Sequence, residues 1–236
     1  MNKLLVIFLL TGTLSSCINE DEQKGIDAVQ TIVQSEKIAV GSGTSVDSKK
    51  GNLNYKTLTL KSGNNLNDPE VSNESISSIS ALTFYQNISS STLDGKDGIK
   101  IILERKINGN LITVESLYFK DTLAMVNKTL IDCKILCEGY INKNYNEVYK
   151  QLYDDVKKSY AFQDFEAEMK RLDKELGGTK SYLITGYKMK NATKKGGPKF
   201  PVVHFWVNLN RDSITNKLDL DYSLDPNVKG VLNLDL

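Results

Sequence analysis

At Gly177-Gly178 the hydrophobic period of this chain changes from that of a helix to that of a strand, and this switch limits the fold most. Upstream, three segments read as helices, at about 124–142, 145–158 and 161–176. The third carries Phe162, Phe165, Met169, Leu172 and Leu176 as one apolar stripe, and the glycines supply its stop. Downstream the period is two. A strand is expected over 180–190, with a kink at Gly186, and another over 200–209, where Val203, Phe205, Val207 and Leu209 share a face. Ile214, Leu218, Leu220, Tyr222 and Leu224 then form the apolar side of a third strand whose polar side holds Lys217, Asp219 and Asp221. Asp225-Pro226-Asn227 turns the chain into a last strand, Val228–Leu236. Four consecutive strands with a single apolar face need cover on that face only, and the preceding helices provide it. The expected class is α+β, with helices packed on a curved four-stranded antiparallel meander over 123–236.

A smaller α+β unit is expected before it, over 25–122. Gly25–Lys37 reads as a helix with Ile26, Val29, Ile32 and Val33 inward, preceded by a flexible tether over 18–24. Gly41-Ser42-Gly43-Thr44-Ser45 breaks the pattern, and Leu53–Lys61 reads as a strand. A helix follows from about Glu74 to Ile88, N-capped by Ser72 or Asn73. Ile99, Ile101, Leu103 and Ile107 alternate up to Asn108-Gly109, and Leu111–Phe119 returns. Asn-Gly suits the positive backbone dihedrals of a tight hairpin turn.

The amino terminus has its own physics. Lys3, the short apolar run Leu4–Leu10 and the small residues Ser15-Ser16 make an export signal too short to span a bilayer, with residues 1–16 removed. Its removal takes away Lys3 alone and leaves 29 basic side chains against 29 acidic ones. A formally neutral body argues against nucleic acid as a partner, since binding there requires a basic surface. Cys133 and Cys137 lie four apart in a helical, apolar seam with Val126, Leu130 and Tyr140. Free buried thiols, a disulfide, and metal or redox chemistry are the three readings, although one helical turn gives poor disulfide geometry.

Leu14-Ser15-Ser16-Cys17 resembles the lipobox of bacterial lipoproteins. The resemblance implies a lipid on the Cys17 sulfur and acylated Cys17 as the mature amino terminus, so that the membrane is a partner through that lipid. Ile18, rather than an inner-membrane retention aspartate, follows Cys17, and the resemblance then implies the outer membrane. Glu20-Asp21-Glu22 resembles the acidic signal that sends lipoproteins of Bacteroidota to the outer face of that membrane. The plainer explanation is a solvated tether spanning residues 17–24.

Helices followed by a four-stranded meander also resemble the cystatin-like and nuclear-transport-factor-like folds. The residues that carry this likeness are Asn144-Tyr145-Asn146-Glu147-Val148-Tyr149, Phe165–Leu176 and Leu176–Tyr182. It covers about 124–236 and implies a functional cavity between sheet and helices. Ketosteroid-isomerase relatives place an acid and a tyrosine in that cavity. Asp219 and Asp221 fall on the polar face by parity, so those roles do not transfer.

His204 is the lone histidine and Trp206 the lone tryptophan. Together with Tyr182 they form the candidate ligand-binding patch, since exposed aromatic side chains favour recognition. A histidine on the outer face of a sheet and a tryptophan packed beneath a loop are the plainer readings. Lys188, Lys190, Lys194, Lys195 and Lys199 suit a solvated sheet edge, with contact to an anionic ligand or headgroup as the other reading. There is no phosphate loop, no His-Glu-x-x-His, no Gly-x-Ser-x-Gly and no calcium loop, and neither a metal site nor a cofactor is expected. The expected function is a lipid-anchored, non-catalytic envelope protein that binds another envelope protein or a small ligand. An enzyme using the cavity of the carboxy-terminal sheet, or an inhibitor or immunity protein, are the alternatives.

Overall fold

The computed structural model describes residues 18–61, 63, 66–193, 199–212 and 214–235. Cys17, the signal segment, Lys194, Lys195 and the turn 196–198 lie outside the described residues. Helix α1 (Glu20–Val33) begins at once, where a flexible tether through residue 24 was expected. The reason is a capping box: the Asn19 side chain accepts from the Glu22 amide at 2.7 Å, and Glu22 accepts from the Asn19 amide at 3.4 Å. Glu20, Asp21 and Glu22 fill the first turn, where negative charge complements the helix dipole. Two of them are also tied to the body. Glu22 is buried in an ion pair with Lys56, and Asp21 accepts from the Ser89 amide at 2.7 Å and from Thr92.

The first sheet has the order β1 (Lys37–Asp47), β2 (Gly51–Lys61), β3 (Gly98–Ile107), β4 (Asn110–Phe119). β2 and β3 are parallel, and the crossover between them carries α2 (Asn73–Asn87). β1 runs straight through Gly41–Ser45, where a break was expected. Gly43 lies opposite Tyr55, and a Cβ there would stand 2.6 Å from the ring. The small residue makes room for an aromatic neighbour instead of ending the strand. The hairpin at Asn108-Gly109 forms as expected, with φ of 51° and 82°.

α3 (Lys120–Ile141) follows β4 directly. The expected single helix over 145–158 is two, α4 (Tyr145–Gln151) and α5 (Asp154–Ser159). Between them Leu152 bridges Val231, and the Tyr153 amide donates to the Val231 carbonyl at 2.9 Å. That tertiary pairing competes with the helix and wins locally. α6 (Phe162–Leu176) then leads into the second sheet, the antiparallel meander β5 (Thr179–Thr193), β6 (Lys199–Arg211), β7 (Thr215–Ser223), β8 (Val231–Asp235).

α2 joins the two sheets. Ser75 Oγ donates to the Thr185 carbonyl at 2.5 Å, and Ser78 Oγ accepts from the Tyr187 amide at 2.9 Å. The helix thus covers the free edge of β5, which would otherwise present unpaired backbone groups. Gly186 permits the approach, since a Cβ there would stand 2.7 Å from Ser75 Cα. One continuous buried cluster contains Leu58 and Ile101 of the first sheet, Leu82 of α2, Cys133 of α3, and Phe205 and Leu220 of the second sheet. Cys133 and Cys137 are both buried and free, so the disulfide reading does not hold. An S–H contact with Cys137 and burial both push the Cys133 thiol up, keeping it protonated. Among the described residues no helix is long and apolar enough to cross a membrane.

Candidate functional site

The outer face of the second sheet collects the polar residues that strand alternation turns away from the core. His204 on β6 stands opposite Lys188 of β5 and Asp221 of β7, and Trp206 opposite Gly186 and Asp219. Their inward neighbours Val203, Phe205 and Val207 are fully buried, which fixes the register, because a one-residue slip would expose all three. The inner face of this sheet is therefore filled with side chains at its centre.

His204 Nδ1 lies 2.6 Å from Asp221 Oδ1. The Asp221 carboxylate can only accept, so in this contact the ring donates from Nδ1. Lys190 Nζ is 2.8 Å from the same Asp221 oxygen and 3.3 Å from His204 Nδ1. Asp221 thus holds two basic groups at once. Nε2 is 3.8 Å from Asp219 Oδ2, and the His204 ring meets Trp206 edge-on, with centroids 5.4 Å apart. The side chains of His204 and Asp221 are only 12% and 13% exposed, so this pair is held on a partly covered surface and not in free solvent. Among the described residues, its hydrogen-bond partners include no hydroxyl or thiol that a base could activate.

Beside Trp206 lies a cleft of about 360 Å³ between the sheet and the start of α2. Trp206 and Val71 give it apolar walls, while Glu70, Glu74, Lys217 and Asp219 supply charge. The amino terminus of α2 brings few free donors, because Ser72 Oγ already caps the Ser75 amide at 3.0 Å. Further along the same face, Phe200 and Val202 pack with Val228 in a small apolar cluster.

Tyr182 is not part of this group. It pairs with Leu209 and packs on the core side, where burial first and then the nearby Glu138 carboxylate raise its phenol pKa. The physical reason is the bulge between Ile184 and Gly186. Unbroken alternation would put Tyr182 on the face of Lys188, but the extra residue sends Tyr182 inward and leaves Lys188 beside His204. Of the expected trio, the fold brings together His204 and Trp206 alone. Of the lysines, Lys188 pairs with Glu74 at 3.4 Å and Lys190 with Asp221.

A larger groove of about 940 Å³ went unforeseen. It runs between α3, the α4–α5 junction and the β7–β8 turn, with Lys128, Asp132, Lys157, Asp225 and Lys229 along it. The turn signal Asp225-Pro226-Asn227 was its one local trace, because the other two walls come from helices far away in sequence. Among the described residues, no group of three or more His, Cys, Asp or Glu side chains is arranged to hold a metal ion.

No protein-family model matches the chain, and no curated protein or solved structure is significantly similar to it. The chemistry of the site is therefore argued from its own geometry. This face carries one aromatic wall, a carboxylate-held histidine and a cleft of small-ligand size.

Proposed function

We propose that this chain is a lipid-anchored protein of the cell envelope whose α+β body is a non-catalytic binding module. The observation that carries the anchor is Leu14-Ser15-Ser16-Cys17 behind a basic and apolar start. Its placement supports the reading. α1 begins at Glu20, so two residues separate Cys17 from the helix, a reach of roughly 7 Å when extended. Such a spacing would hold the body against the membrane. Outer-membrane location rests on Ile18 after Cys17, and surface exposure on Glu20–Glu22, which the fold uses a second time in α1.

The binding role rests on the outer face of the second sheet, where His204 and Trp206 adjoin a cleft. His204 faces away from the core, and its partners are a carboxylate and an amine, which suits recognition better than nucleophilic catalysis. The partner is an envelope protein or a small ligand; the balanced charge leaves nucleic acid aside. The anchor is tested by Cys17→Ser. In fractionated cells the variant should move from the membrane to the soluble fraction and lose fatty-acid label. A variant that stays in the membrane with its label intact would overturn the reading.

A further inference from the structure

We propose that the Trp206 cleft binds a small organic cation, an ammonium or guanidinium group carried on an apolar body. The inference rests on the binding-module reading and names the ligand class for that same face. Three features of the cleft converge on it. Its volume of about 360 Å³ is that of a small ligand, and Trp206 and Val71 offer apolar surface. A tryptophan ring attracts a cation through its quadrupole more strongly than any other side chain ring. The charge around that ring has the matching sign: Glu70, Glu74 and Asp219 line the cleft against one lysine, Lys217.

The carboxylates differ in how far they are already engaged. Glu74 has Lys188 at 3.4 Å, with both side chains half exposed. Among the described residues, Asp219 has only the 3.8 Å approach of His204 Nε2. Glu70 makes no ion pair among the described residues. Two carboxylates therefore remain open to a ligand beside the aromatic wall. An anion fits poorly, because the capped start of α2 keeps its Ser75 donor for Ser72. The large groove between α3 and the β7–β8 turn is a weaker candidate, since its lysines and aspartates nearly balance and select for neither sign.

Trp206 is the single tryptophan of the chain, so intrinsic tryptophan fluorescence reports on this cleft without background. The test titrates the purified full chain, in an uncharged polyoxyethylene detergent, with choline and methylguanidinium. The neutral carbon isostere dimethylbutanol and a neutral monosaccharide serve as comparators. The expected result is a saturable change with the cations, weakened by added salt and absent with the comparators. Asp219→Asn and Glu70→Gln should each weaken it about threefold to fivefold, the range of a partly exposed ion pair. Circular dichroism of each variant shows whether the fold is kept, and the comparison of choline with its isostere needs no variant at all. An equal response to choline and dimethylbutanol, saturation by the monosaccharide alone, or no saturable response would each overturn the proposal. Those failures leave the anchor standing, because release of the Cys17→Ser variant from membranes is a separate readout.

Discussion

Several tyrosine side chains are buried where a charge would be costly. Tyr140, Tyr187 and Tyr222 are almost fully covered, and their hydroxyls lack a hydrogen-bond partner among the described residues. Burial pushes all three phenols well above the usual tyrosine range, and it pushes Tyr118 up to about 12. The neutral phenol is thus favoured by folding. A folded pKa above the unfolded value near 10 gives stability that is complete below pH 10 and is lost as pH rises toward 12. An ultraviolet titration of the 11 tyrosines should show Tyr140, Tyr187 and Tyr222 ionising only together with loss of circular dichroism. One smooth titration near pH 10 with the fold intact would contradict this. At this scale the sequence was least legible. Glu22 finds Lys56 34 residues away, and Asp21 finds Ser89 and Thr92 68 and 71 residues away. Those partners, chiefly Thr92 and the Ser89 amide, hold the Asp21 carboxyl below the usual range. No local pattern carries such pairings, so the acidic run resembled a tether. The same holds for Asp173, which binds Arg211 at 2.9 Å and Tyr145 beneath the end of α6.

Elements were read well wherever one face is dry. The stripe of α6, the hairpin at Asn108-Gly109 and the alternation of β6 and β7 all follow from a single buried face. Elements whose course depends on a distant neighbour were misread. β1 looked broken because Gly43 makes room for Tyr55, and α4 and α5 looked continuous because Val231 was invisible to local periodicity. The bulge at Gly186 has the largest functional consequence, since it separates Tyr182 from His204 and lets α2 seal the edge of β5. This close approach can be tested by sign. At an unhindered strand position Gly→Ala stabilises by roughly 0.4–1 kcal/mol through the unfolded chain. Here the added Cβ meets the Ser75 backbone, so Gly186→Ala should destabilise by about 1–3 kcal/mol. Urea unfolding measures the difference, and a midpoint at or above that of the parent chain would contradict the packing described.

At the scale of the whole molecule, the two sheets share one continuous core through α2 and α3. The α+β class and the meander were legible because four amphipathic strands need a helical cover. The joining of the two halves was not, because α2 buries small serines together with its apolar residues and shows no single stripe. Among the described residues the first helix begins at Glu20, three residues past Cys17. With so short a connection, the proposed lipid would act as an attachment of the body itself and not as the end of a long tether. One acyl chain alone anchors only marginally, so stable attachment requires more than one chain on this terminus. The most direct measurement is the intact mass and amino-terminal peptide of the protein purified from its own membranes. The account predicts a chain that begins at Cys17, with a lipid on its sulfur. An unmodified Cys17 within a chain that retains residues 1–16 would contradict it.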